Sequence, residues 1–272
     1  MTPNGIGLGL RVDMARQLLE EVPSLAFVEV HPENYMERGG LYREFLHQAR
    51  EHYPIVTHGL TMCFGQTEPH DRAFLDGLRD FLKEVGTPWH SDHLCFGGAA
   101  GVFAHDLLPI PFTEEARDIV VQRLTEARDR LDVELAFENV SYYAAQGDDP
   151  LDEARFCVEV LERADARIML DVNNVFVNSQ NFGFDPKAWI DMIPPERVVQ
   201  MHVAGHLLRP DGLRIDTHGE PVPDGVYELL EYTLKRMGPK PVLLERDNNI
   251  PPLEELLAEV ARLQEIYARA VA

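Results

Sequence analysis

Carboxylates and histidines recur along this chain in positions suited to holding cations. Asp216 and His218 stand two residues apart in LRIDTHGEPVPDG (213–225), a segment punctuated by glycine and proline. Alone, such a pair is ordinary loop polarity. It has company, because apolar runs elsewhere end on the same side-chain types. Glu33 and Asn34 follow VEVHP, His58 follows PIVT, and PWHSDHL carries His90, Asp92 and His93. Glu138 and Asn139 follow VELAF, and RIMLDVNN carries Asp171, Asn173 and Asn174. His202 and His206 flank VAG, and Glu245 and Asp247 close PVLLERD.

Taken singly, each has a plain explanation. His58 suits a hydrogen-bonded core histidine, His90 a structural group, and His206 a loop position. Asp171 suits a cap on the turn that follows it. Glu138 or Glu245 would be satisfied by an arginine, with Arg246 nearest in sequence. Taken together, four or more carboxylates converging on one point repel each other unless cations or raised pKa values intervene. Interleaved neutral imidazoles favour cations. The pattern predicts a multinuclear metal site. If IDTHG is extended, Asp216 and His218 face the same way and grip one ion.

The elements that must gather these residues alternate from end to end. Strand-like runs occupy 5–11, 26–33, 54–60, 88–94, 133–140, 167–174, 198–205 and 241–247. Helical patterns with apolar residues three and four apart occupy 70–86, 113–131, 151–164, 225–238 and 252–272. Thr113 is the expected N-cap of one helix. Gly86 and Gly238 are expected to close helices in the left-handed conformation. Strand and helix in alternation predict a single (β/α)8 TIM barrel spanning 1–272 as one domain. An open doubly wound sheet is weaker, because GIGLGL lacks the G-x-G-x-x-G spacing of a phosphate loop. In a barrel, all the polar strand ends open onto one rim.

Composition narrows the partners. The 272 residues include 46 acidic and 25 basic side chains, a net charge of −21, which argues against nucleic acid. No apolar run is long enough for a membrane span, and no signal-peptide pattern opens the chain, so a cytoplasmic protein is expected. The three cysteines, Cys63, Cys95 and Cys157, form no CxxC pair; Cys157 reads as core packing.

The ordered series His58, His93, Glu138, Asp171, Asn174, His202, Asp216, His218, Glu245 resembles the ligand order of the xylose isomerase-like barrel superfamily that includes endonuclease IV. Asn174 stands where that nuclease has a histidine. The chain is more similar to the multinuclear non-heme iron-dependent oxidative enzymes (MNIO) of the methanobactin-biosynthesis type, through VEVHPENYM, THGL, HSDHLCF, AFENVSYY, LDVNNVFVNSQNFGFDP, QMHVAGH, IDTHGEPVPDGVYELL and LLERDNNIP. There the asparagine is the family's own form.

This resemblance implies that His58 and His93 hold one iron and that Glu138 bridges to a second, completed by Asp171, His202 and Glu245. Asn174, Asp216 and His218 would hold a third ion. Asp92 and His93 remain alternatives for one ligand position. Asp247 is the expected catalytic residue, as a proton acceptor or as a group behind the ligands, and Glu33 and Asn34 would contact substrate or orient ligands. The implied activity is O2-dependent oxidation of a ribosomally made precursor peptide, usually at a cysteine, with two or three iron ions. Products in such enzymes include an oxazolone with a thioamide, a thiooxazole, loss of a cysteine methylene, or a modified C-terminal aspartate. A separate leader-peptide-binding partner is implied as well. A zinc-dependent hydrolase or nuclease, a sugar isomerase or epimerase, and a metal-storage protein are the alternatives left by the residues themselves.

Overall fold

The apolar runs become eight short parallel strands, seen in a computed structural model that describes residues 3–99, 102–149 and 151–272. They are β1 (Ile6–Gly9), β2 (Val28–Val30), β3 (Ile55–His58), β4 (Trp89–His93), β5 (Glu134–Glu138), β6 (Arg167–Asp171), β7 (Val198–Val203) and β8 (Val242–Leu244). Each pairs with its sequence neighbour, and β8 returns to β1 through Ile6 opposite Val242, closing a parallel barrel. The expected TIM barrel is the observed fold.

Period-two alternation gives each strand two faces. Val28 and Val30 pack outward into the large core beneath the helices. Phe27, Val56, Trp89 and Leu243 form a separate apolar cluster inside the barrel. Two residues further along the same faces come Glu29, His58, Ser91 and Glu245, so the interior turns polar toward the strand C-termini. The glycines of GIGLGL make room for this filling. A Cβ on Gly7 would sit 2.6 Å from the Phe27 ring, and one on Gly9 would meet the Arg11 guanidinium at 2.7 Å.

Helices cover the outside, including 72–85, 114–131, 152–163, 224–237 and 253–271, close to expectation. Thr113 caps its helix by accepting from the Ala116 amide, and Gly86 adopts the left-handed conformation with φ 70° and ψ 34°. Gly238 differs: its φ is 77° but its ψ is −173°. Pro239 follows it, and the proline ring pushes the preceding residue out of helical ψ. The run 167–174 is also shorter than expected, because Asp171 ends the strand and caps helix 172–182 by accepting from the Asn174 amide. Asn173 and Asn174 therefore project from a first helical turn.

Two hairpins rise from the rim, Phe96–Ala99 with Val102–Leu108 and Leu207–Leu208 with Arg214–Ile215. Among the described residues no helix is long and apolar enough to cross a membrane. Cys157 is fully buried, as expected.

Behind the rim, Glu153 is buried without a cation. Trp189 Nε1 donates to its Oε2 at 3.1 Å and Asn178 Nδ2 at 3.4 Å, joining three helices. Burial pushes this carboxyl up to about 8, against the smaller effect of those two donors. The folded chain then holds a proton that the unfolded chain releases near pH 4.5. Stability from this group is full below the unfolded pKa and is lost as pH rises toward 8, at up to about 1.4 kcal/mol per pH unit. Glu153→Gln keeps an acceptor for Trp189 and removes the titration. Thermal melts from pH 5 to pH 9 should show the variant gaining on the parent as pH rises toward 8 and levelling off above it; parallel curves would contradict this account.

Candidate metal centre

The inward polar residues of β3, β4 and β5 meet first. His58 Nε2 lies 3.0 Å from Glu138 Oε2, and His93 Nε2 lies 3.3 Å from the same oxygen. The two imidazole nitrogens are 3.3 Å apart. Ions bound by nitrogen and oxygen at ~2.1 Å need ligand atoms about 3–4 Å apart, so this trio has the right span for one ion. Ser91 Oγ, 2.9 Å from His58 Nδ1, fixes that ring from behind.

A second concentration draws on β5 through β8. Glu138, Asp171 and His202 bring ligand atoms within 4.8 Å of one another, and so do Asp171, His218 and Glu245. His202 Nδ1 is 3.0 Å from Glu245 Oε2, and His218 Nδ1 is 3.5 Å from that oxygen. Glu138 and Asp171 each belong to two such groups, as do His202 and Glu245 once Glu29 is included. Asp216 joins through its Oδ1, 2.8 Å from His218 Nε2. The segment is not extended there, as had been expected. His218 has a φ of 48°, and this left-handed turn folds the imidazole back onto Asp216. Asn173 Nδ2 donates to Asp216 at 2.8 Å and Ser141 Oγ at 3.3 Å.

Electrostatics mark the cluster as short of positive charge. Burial raises the Asp171 carboxyl, and Glu138 and Asp216 raise it further, well above the usual carboxylate range. Burial would also raise Glu138 and Glu245. The imidazoles of His93 and His58 outweigh it at Glu138, and those of His218 and His202 at Glu245, so both stay below the usual range. Burial opposes charge on His93, yet Glu138 and Asp92 hold it up at about 9. Among the described residues, Asp171 Oδ2, Asn174 Oδ1 and His93 Nδ1 are nevertheless buried without a hydrogen-bond partner. Orphaned acceptors on adjacent buried side chains are what bound cations would satisfy. The donor set fits a group of metal ions.

Other candidates sit near the cluster and do different work. Asp92 points away from it, accepting from the Met62 amide at 3.0 Å, the Cys63 amide at 3.4 Å and the His93 amide at 2.7 Å. His90 meets Thr57 Oγ1 at 3.1 Å, and burial lowers its pKa to about 4. Asn139 clamps β5 to β6, its amide donating to the Asp171 carbonyl and accepting from the Asp171 N–H. His206 holds Asn173 at 2.7 Å. Glu33 accepts from the Leu60 amide and the Thr61 hydroxyl, tying down the loop after β3, and Asn34 ends a short 3-10 helix beside it. Asp247 lies between Arg11 Nε at 2.7 Å and His218 Nδ1 at 3.0 Å. Burial opposes its ionisation, but Arg11 prevails and holds it at about 2. The arginine facing Glu245 is Arg11, at 3.6 Å, whereas Arg246 turns outward to Glu259. Alternation explains this, since Arg246 is one residue beyond an inward glutamate. Cys63 and Cys95 pack with Val140 close by, and among the described residues no candidate metal group includes a cysteine.

Sequence reading passed over Glu29, Gln200 and Arg11, all beside the cluster. A charged residue between two valines in FVEVH was the available signal for Glu29.

The sequence matches the family described as "RiPP precursor modification enzyme MbnB/TglH/ChrH" over residues 5–268. A UPF0276 protein of Caulobacter vibrioides is 41% identical over 258 residues, covering 94% of this chain and 92% of the relative. One from Anaeromyxobacter is 41% identical over 268 residues, covering 98% and 94%. Among solved structures, a xylose isomerase domain protein from Planctomyces limnophilus superposes with TM-score 0.61 at 17% identity, covering 98% of this chain and 99% of that one. A D-allulose 3-epimerase from Methylomonas superposes with TM-score 0.60 at 14% identity, covering 99% and 97%. These two likenesses show the TIM-barrel fold and nothing of the reaction. By its sequence, laid over a barrel mouth of shared carboxylates and imidazoles, the chain belongs to the MbnB/TglH/ChrH family of enzymes that modify RiPP precursor peptides.

Proposed function

We propose that this enzyme is a multinuclear non-heme iron oxidase that uses O2 to modify a cysteine of its precursor peptide. The observation that carries the reading is the sharing of Glu138 between the His58 and His93 pair and the Asp171 and His202 pair, which suits ions held close together. His58, His93 and Glu138 would hold one ion. Glu138, Asp171, His202 and Glu245 would hold a second, and Asn174, Asp216 and His218 a third. Iron in such a nitrogen and oxygen set supplies the redox capacity that zinc lacks and that no side chain here provides.

The chain's own residues do the rest. Arg11 pairs with Asp247 and faces Glu245, keeping both carboxylates ionised and oriented. Asp247 in turn steadies His218. With its proton held off by Arg11, Asp247 is better suited to orienting that ligand than to accepting a proton. Glu33 and Asp92 fix the loop after β3 at the mouth, where a peptide side chain would enter. A separate leader-binding partner belongs to this reading, as does the folding of residues 1–272 as one domain.

Protein purified without oxygen should carry iron and consume O2 on addition of a cysteine-containing precursor encoded beside its gene. Iron-loaded protein that consumes none with its cognate precursor would refute the oxidase reading. Glu138→Gln should remove at least one iron per chain and lower turnover by about 100-fold or more, since a shared ligand outweighs the groups behind it; unchanged iron content would show that Glu138 is no ligand. His93→Ala and Asp92→Asn separate the two neighbours. The first should lose an ion by metal analysis, whereas the second should keep full metal content and melt at a lower temperature.

A further inference from the structure

His202 is gripped from both edges of its ring. Nδ1 lies 3.0 Å from Glu245 Oε2, and Nε2 lies 3.0 Å from Glu29 Oε2. Glu29, His202 and Glu245 are close enough to be counted as a possible metal trio. An ion bound through Nδ1 would leave Glu29 on the opposite edge of the ring. Its two nitrogen lone pairs diverge in the imidazole plane, so one ion cannot take both the Glu29 side and the Glu245 side. Glu29 therefore stands behind His202, on the edge turned away from Glu245.

The orientation of Glu29 is itself fixed. The Trp89 indole N–H, which can only donate, meets Gln200 Oε1 at 2.9 Å. This sets the amide's direction and places Gln200 Nε2 between Glu29 Oε2 at 2.6 Å and His202 Nε2 at 3.0 Å, so that both nitrogens face the one carboxylate oxygen. Trp89, Gln200, Glu29 and His202 are all buried, so no water competes along this line. A carboxylate oxygen facing a bare Nε2 would oppose one lone pair to another. An ion on the Glu245 edge would take Nδ1, leaving the ring proton on Nε2, where Glu29 Oε2 accepts it at 3.0 Å.

We infer that Glu29 is a positioning residue of the metal centre. It locks His202 as the Nε2–H tautomer and aims Nδ1 at the ion shared with Glu138, Asp171 and Glu245, with Gln200 and Trp89 holding it in place. A buried carboxylate in this position also raises the basicity of the ligating nitrogen. The inference rests on the metal-centre reading of these ligands and extends it to residues outside the ligand set.

The full chain, loaded with cobalt(II), provides the test. Its proton spectrum in water should contain a strongly shifted, slowly exchanging ring N–H that vanishes in D2O. Glu29→Gln should displace that one resonance and leave the other shifted N–H signals in place. In chelator competition the variant should hold one ion about 10–100-fold more weakly, with the ion of His58 and His93 unaffected. Glu29→Asp should restore part of the affinity. A structural role alone would lower the melting temperature of Glu29→Gln without moving the resonance or singling out one ion. Equal affinities in parent and variant, or no slowly exchanging N–H in the parent, would overturn the inference while leaving the metal centre intact. A parent chain that binds no transition ion would overturn both. If Glu29→Gln does not fold, the presence or absence of the resonance in the parent decides.

Discussion

Mutual repulsion among carboxylates at the mouth of the barrel is the constraint to which the rest of the structure answers. Glu138, Asp171, Glu245 and Asp216 come from four separate stretches of chain and meet within a few ångströms of one another's partners. Burial multiplies the cost, because a charge removed from water interacts through a weaker dielectric. Two responses are visible in the side chains. Asp171 is driven toward its protonated form, and His93, His202 and His218 are drawn toward their charged forms. Such an arrangement is an expensive way to build a core and an economical way to prepare for cations. Ions would return the imidazoles to neutral ligands and let Asp171 ionise.

The barrel makes this possible by division of labour along each strand. Phe27, Val56, Trp89 and Leu243 fill the interior on one side with apolar volume, so the strands remain closed without help from the polar end. Gly7 yields space to Phe27, and Gly9 yields space to Arg11. The second of these concessions matters chemically. Among the described residues, Arg11 is the guanidinium set against Glu245 and Asp247, and a side chain at Gly9 would displace it.

Fold and candidate site were largely legible because both depend on short-range pattern. Alternating strand and helix signals carry the barrel, and the polar residue at the end of each apolar run carries the site. What escaped the sequence depended on where a chain turns or which face a residue takes. The run 167–174 reads as strand throughout, yet Asp171 satisfies the Asn174 amide and starts a helix, a capping choice that hydrophobic periodicity does not register. His218 adopts a left-handed backbone that an extended reading of IDTHG excludes. Gly238 follows the steric demand of Pro239 rather than the usual helix cap. Glu29 was hidden by its position in mid-strand, because attention to strand ends overlooks a buried charge two residues deeper. Arg246 misled through proximity in sequence, when Arg11, far off in the chain, was the residue in range.

Alternation also turns the residues adjoining the candidate ligands in sequence toward other partners. A side chain next to an inward ligand points away from the axis, where it meets neighbouring loops and helices. Asp92, beside His93, gathers three backbone amides from the loop and strand end. Asn139, beside Glu138, bonds twice to the backbone of Asp171 and so fixes the spacing of two carboxylates at once. Arg246, beside Glu245, reaches Glu259 on the final helix and ties the last ligand to the barrel wall. Glu29 lies against the His202 ring from the interior, at 3.0 Å from Nε2. Each ligand thus carries its own restraint within one or two residues or one hydrogen bond. That is how repelling groups stay together long enough for a cation to become the favourable way to relieve them.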